Sequence, residues 1–143
     1  MAVGRKDPLE KPIPEPDEIS HFYWEAAAQG RLSVQRCSSC LRFVFPPSVA
    51  CPGCLTETLV PTPVSGRGRI HAYTVARQAF DPAFEVPYVL ALVGLEEDPE
   101  VRLLTNLIES PIEEVKSGAA VEVVFEKRAQ ICLPQFRLAR SAS

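Results

Sequence analysis

The sequence predicts a mainly β protein: an N-terminal helix, a small ribbon built on four cysteines, and a five-stranded barrel. Three observations lead there. Four of the five cysteines form two C-x-x-C pairs with ten residues between them, in CSSCLRFVFPPSVACPGC at 37–54. A single apolar stripe at helical spacing precedes them. Short runs rich in Val, Ile, Leu and aromatic residues, bounded by Pro, Gly and acidic turns, follow them.

Taken in order, residues 1–16 hold four prolines (Pro8, Pro12, Pro14, Pro16) among polar residues, which predicts a flexible arm. Residues 17–30 predict the helix. Asp17 suits an N-cap; Ile19, Phe22, Tyr23, Ala26 and Ala27 fall on one stripe, and Gly30 stands where a helix stops. Trp24 lies off that stripe, free either to pack under the arm or to meet a partner. Residues 31–60 predict the ribbon: RLSVQR and RFVFPP read as strands, each adjoining a C-x-x-C turn. LVPTPVSG reads as a connector.

Residues 61–140 predict the barrel. GRGRIHAYTVARQAF, YVLALVGLE and VRLLTNLIE read as three strands, and the glycines of GRGR as a bend or bulge. SPIEEVKSG reads as a short helix, with Ser110 and Glu113 spaced for a capping box and Pro111 at the first helical position. AAVEVVFEKRA and ICLPQFRLA supply two more strands. Strand, strand, strand, helix, strand, strand is the order of a five-stranded OB-fold barrel.

Two knuckles on adjacent hairpin turns bring Cys37, Cys40, Cys51 and Cys54 to tetrahedral corners, which Zn²⁺ accepts without strain. A thioredoxin-like redox pair needs one C-x-x-C at a helix start within a βαβ unit, a context absent here. Two disulfides would need an oxidising compartment, and nothing in the sequence argues for one. An iron site of rubredoxin type uses similar knuckles, so spacing alone leaves iron open beside zinc. Four thiolates leave no coordination position for water or substrate, so the expected metal role is structural. Cys132, between Ile131 and Leu133 in a strand, reads as a small buried residue.

Composition narrows the functions. Net charge is -3 and aromatics are 8%, which argues against a broad nucleic-acid groove with many stacking platforms. No run is long and apolar enough for a membrane span, and the N-terminus lacks the apolar core of a signal peptide, so a cytoplasmic setting is expected. The two histidines, His21 and His71, form no nucleophile–base pair with anything in the sequence, and no phosphate-cradling loop opens a helix. Glu113 and Glu114 are explained by a helix N-terminus. The loop ARQAFDPAFEVPY joins the first two barrel strands, where OB folds take ligands. Its Arg77, Phe80, Phe84 and Tyr88 suit pairing with a phosphate and stacking on a base, or seating on a partner; the phenylalanines equally suit closing the barrel end.

FYWEAAAQGRLSVQRCSSC, the PP before CPGC, VSGRGRIHAYTV, VPYVLALVGL, RLLTNLI, SPIEEVKSG leading to VEVVFE, and LPQFRLA run in order along about residues 18 to 138. Together they resemble the rubredoxin-like zinc-ribbon plus OB-fold proteins of acyl-CoA metabolism, formerly a domain of unknown function. The resemblance implies zinc, a thiolase-like, aldolase or hydratase partner, and a noncatalytic subunit that helps hold an acyl-CoA; an oligomer is compatible with it. The alternative is a single-stranded nucleic-acid-binding OB protein. One departure stands out: many relatives place glycine after the second cysteine of each pair, whereas Leu41 and Leu55 stand there.

Overall fold

The computed structural model describes residues 15–78, 82, 85–128 and 130–139. Of the predicted arm, residues 1–14 lie outside that set.

Helix α1 spans His21–Ala28, shorter than expected at its N-terminal end. Asp17 does not cap it. Its carboxylate instead accepts hydrogen bonds from the Ser20 amide and hydroxyl, at 2.7 and 2.8 Å, closing a turn that precedes the helix. Gly30 ends α1 as expected: it sits at φ 74°, and the amides of Gly30 and Arg31 return to the carbonyls of Ala27 and Ala26. Tyr23 and Ala27 are buried, whereas Ile19 is exposed. Trp24 is half-buried and meets the Tyr23 ring edge-on at 4.9 Å.

Strands β1 (Ser33–Cys37), β2 (Phe43–Val44) and β3 (Leu59–Pro63) form an antiparallel sheet in the order β2-β1-β3. The stretch read as a connector is therefore partly a strand: β3 pairs with β1 from Ser33↔Pro63 to Cys37↔Leu59. It is an edge strand, which needs donors on one side only, so prolines at the alternate positions 61 and 63 are tolerated.

Strands β4 (Arg67–Ala76), β5 (Tyr88–Leu95), β6 (Arg102–Leu107), β7 (Ala120–Arg128) and β8 (Ile131–Leu138) close a barrel in the order β4-β5-β6-β8-β7. All pairs are antiparallel except β6–β8. The bulge expected at the glycines of GRGR lies instead just past them, as a register shift between Ile70 and Ala72, while Gly66 sits at φ 83°. A Cβ at Gly66 would come within 2.4 Å of Val123 Cγ1, so only glycine brings β4 against β7 there.

The expected helix in SPIEEVKSG contracts to one 3-10 turn, Ile112–Glu114, without a side-chain cap. Ser110 is engaged elsewhere. Its hydroxyl donates to Ile108 O and accepts from the Leu138 amide, both at 2.9 Å, tying the turn to β8 rather than forming a capping box.

The barrel core is Ile70, Val89, Ala91, Val93, Leu95, Leu103, Leu107, Val121 and Phe136, continuous with Tyr23, Leu32 and Val34 from α1 and its strand. The hydrophobic cluster of the ribbon beyond is Cys37, Val44 and Cys51, with Cys54 and Leu59 against them. Burial at about 25 cal/mol per Å² cannot hold so small a cluster together. Something else must.

Candidate metal centre

The two knuckles share one backbone plan. Cys37 is buried at the end of β1, and its carbonyl accepts the Leu41 amide at 2.8 Å; Cys51 is buried and accepts the Leu55 amide at 2.8 Å. Both leucines sit in the left-handed region, at φ 65° and 61°. The four sulfurs of Cys37, Cys40, Cys51 and Cys54 lie within 4.8 Å of one another, and none is in a disulfide. Cys37–Cys54 and Cys40–Cys51 are 3.5 and 3.6 Å apart. A tetrahedron with Zn–S bonds of about 2.3 Å has edges of about 3.8 Å, so these sulfurs are spaced to receive the ion.

Donors surround the sulfurs. The Cys40 amide approaches Cys37 Sγ at 3.4 Å and the Gly53 amide approaches Cys51 Sγ at 3.3 Å. The hydroxyls of Thr58 and Thr56 lie 3.1 Å from Cys37 Sγ and 3.0 Å from Cys54 Sγ. The Cys40 amide, and after it Thr58, hold the Cys37 thiol down to about 5. Thr56 lowers Cys54. At Cys40 the Arg42 amide also pulls downward, but burial and the neighbouring thiols Cys51, Cys37 and Cys54 outweigh it and raise the thiol. Four sulfurs this close cannot all ionise without a cation among them. Thr56 and Thr58 escaped the sequence reading, although both follow the second knuckle at short range.

At the first barrel loop, Arg77 is exposed and Tyr88 half-buried at the start of β5. Phe80 and Phe84 lie outside the described residues. Of the histidines, His71 is exposed on β4, and His21 faces Glu25 at 3.3 Å on the exposed side of α1. Cys132 is half-buried, less covered than expected.

Residues 24–60 match the family profile "ChsH2, rubredoxin-like zinc ribbon domain" and residues 61–126 match "ChsH2, C-terminal OB-fold domain". Among known proteins, a DUF35 domain-containing scaffold protein of Methanothermobacter thermautotrophicus is 34% identical over 67% of this chain and 72% of its own length. Another, from Pyrococcus furiosus, is 33% identical over 79% of this chain and 82% of its own. The chain belongs to the DUF35 family. Its ribbon matches a zinc ribbon, with the four cysteines placed to hold the zinc ion.

A further relative is a Thermomonospora curvata protein named "Probable enoyl-CoA hydratase alpha subunit", 37% identical over 89% of this chain; the chain spans 40% of that protein's length. Among solved structures, a chain of the Ltp2-ChsH2(DUF35) aldolase superposes with a TM-score of 0.80 at 35% identity, covering 88% of this chain and 98% of that one. A DUF35 protein of unknown function from Sulfolobus solfataricus, 16% identical with a TM-score of 0.62, shares the fold over 85% of this chain and 86% of its own.

Proposed function

We propose that this chain is a noncatalytic accessory subunit that docks on a thiolase-like, aldolase or hydratase enzyme acting on CoA thioesters. The observation that carries the reading is the likeness to the DUF35 chain of the Ltp2-ChsH2 aldolase, which extends over nearly all of that chain. In this reading Cys37, Cys40, Cys51 and Cys54 hold one zinc ion, which supplies no chemistry beyond fixing the two knuckles, because four thiolates fill its coordination. The arm over 1–16, helix over 17–30, ribbon over 31–60 and barrel over 61–140 are its working divisions. The loop of Arg77, Phe80, Phe84 and Tyr88 is its candidate contact with an acyl-CoA or the partner.

The outer face of the barrel supports docking over nucleic-acid binding. On β5 and β6, where OB folds stack bases, it presents Leu90 and Leu92 half-buried and Leu104 71% exposed. Leucine offers no π face for a base. Among the described residues no helix is long and apolar enough to cross a membrane.

Coexpression with a thiolase-like, aldolase or hydratase enzyme of the same genome, followed by tagged purification, tests the proposal. A stoichiometric complex that survives high salt is expected. Failure to copurify, or turnover of a CoA thioester by this chain alone, overturns it.

A further inference from the structure

A second site lies on the outside of the barrel, at the opposite end of β5 from the Arg77–Tyr88 loop. The register aligns Arg69 of β4 with Gly94 of β5, and Gly94 with Arg102 of β6. Two guanidinium-bearing residues thus flank a residue with no side chain, two strand spacings or about 9.6 Å apart along the row. On the far side of Arg69 the same row continues to Ala120 of β7. Small residues therefore stand between and beside the arginines, and a cavity of about 470 Å³ opens beside them, also lined by Arg67 and Pro99. A Cβ on Gly94 would come within 2.8 Å of the Pro99 carbonyl, so only glycine lets the Pro99 backbone lie over this position between the two arginines.

The arginines are not all neutralised. Arg67 Nε donates to Glu96 at 3.0 Å. Arg69 donates to the Gly118 carbonyl at 2.9 Å, a neutral partner. Arg102 reaches Glu100 with one terminal nitrogen at 3.6 Å, while its Nε is buried and has no hydrogen-bond partner among the described residues. A buried guanidinium donor left unpaired costs free energy unless something accepts from it. Arg67, Arg69 and Arg102 line the cavity against one carboxylate, Glu96, while Glu97, Asp98 and Glu100 of the adjoining turn stand outside its lining. Its volume exceeds what one inorganic anion needs, and Pro99 and Ala120 give it an apolar wall.

We propose that this cavity binds the phosphate of an organic phosphate, with Arg69 and Arg102 reaching the phosphate oxygens from either side of the Pro99 backbone and the apolar wall accommodating the rest of the molecule. Guanidinium forks match phosphate geometry and bind it by charge-assisted hydrogen bonds. The source is either the nucleotide end of coenzyme A, in which case the inference rests on the acyl-CoA reading above, or another phosphorylated metabolite, in which case it does not.

The test is calorimetric titration of the zinc-loaded 143-residue chain with inorganic pyrophosphate, ADP and coenzyme A, repeated on R69Q, R102Q, R102K and the remote control K127Q. Binding of ADP or coenzyme A is expected, weakened roughly 10- to 100-fold in R69Q and R102Q, partly recovered in R102K, and unchanged in K127Q. Coenzyme A bound no more tightly than ADP assigns the site to phosphorylated metabolites at large. Because an arginine variant can misfold, the amide resonances of Gly94 and Ala120 in the unsubstituted chain give a second readout, and both should shift on adding ADP. No binding of any probe at millimolar concentration overturns the proposal, as does binding that leaves those resonances unmoved. The docking proposal would survive either result, since copurification does not involve these probes.

Discussion

Leu41 and Leu55 occupy equivalent places in the two knuckles, each left-handed, each with its amide bonded to the carbonyl of the preceding buried cysteine at 2.8 Å. Their side chains are 60% and 80% exposed, so they gain little from burial. A non-glycine residue in this region costs about 1–2 kcal/mol. Replacing it with glycine returns that cost, less about 0.5–1 kcal/mol for the more flexible unfolded chain. Leu41→Gly and Leu55→Gly are each expected to raise stability by about 0.5–1 kcal/mol. Thermal melting of the zinc-loaded variants checks this, and a lowered melting temperature would refute the strain argument.

The metal should decide whether the ribbon exists. Its small cluster of Cys37, Val44 and Cys51 cannot replace a binding free energy of about 10–16 kcal/mol, typical of structural zinc in small domains. Cys51→Ser is expected to abolish stoichiometric zinc by elemental analysis and to broaden the amide resonances of residues 37–56. The barrel resonances of Val93 and Phe136 should persist, because that core lies outside the ribbon. A Cys51→Ser chain that keeps one tight zinc would remove the four-thiolate assignment.

Much of this arrangement was legible in the sequence, and the misses share a cause. The cysteine spacing, the Gly30 stop and the barrel order rest on local patterns, and they survive folding because no distant partner competes for the same groups. The capping box failed because the Ser110 hydroxyl is taken by the Leu138 amide, a bond across 28 residues that local spacing cannot show. Strand β3 was hidden by Pro61 and Pro63, which disqualify a central strand but suit an edge. The Arg69–Gly94–Arg102 row needs the register of three strands, and nothing in the linear order joins it.

Two glycines with the same backbone sign should respond differently to alanine. Gly30, at φ 74°, has nothing within 4 Å of where an alanine methyl would sit, so Gly30→Ala should cost only the conformational penalty of about 1 kcal/mol. Gly66, at φ 83°, adds the collision with Val123, and Gly66→Ala should cost about 2–4 kcal/mol. Val123→Ala in the Gly66→Ala background should recover the steric part. Urea unfolding of the single and double variants measures it, and equal losses at both glycines would contradict the packing account.

The turn before α1 should give a pH signature. The Ser20 amide, followed by its hydroxyl, holds the Asp17 carboxyl below the usual carboxylate range. A lowered folded-state value means its stabilisation is present above the unfolded value of about 3.9 and is lost as pH falls through the folded one. Asp17→Asn keeps an acceptor oxygen but cannot ionise. The chain should therefore exceed the variant in melting temperature at neutral pH, and the gap should close on acidification below about 3.9. A gap independent of pH would show that the charge contributes nothing.

The buried polar pair joining β6 and β8 should divide its cost unevenly. Gln135 is 5% exposed, and its side-chain oxygen accepts from both the Thr105 hydroxyl at 3.0 Å and the Asn106 amide at 3.1 Å. Its nitrogen donates to Glu126 at 3.2 Å. Gln135→Met leaves the Asn106 amide without that acceptor, while the Thr105 hydroxyl keeps the Asn106 carbonyl at 2.9 Å, at an expected cost of about 2–3 kcal/mol. Thr105→Val leaves Gln135 still bonded to the Asn106 amide, so it should cost about 1 kcal/mol. The double variant should lose less than the sum of the two single losses, because both substitutions remove the same bond. Strict additivity in chemical unfolding would mean that Gln135 is held by packing rather than by these partners.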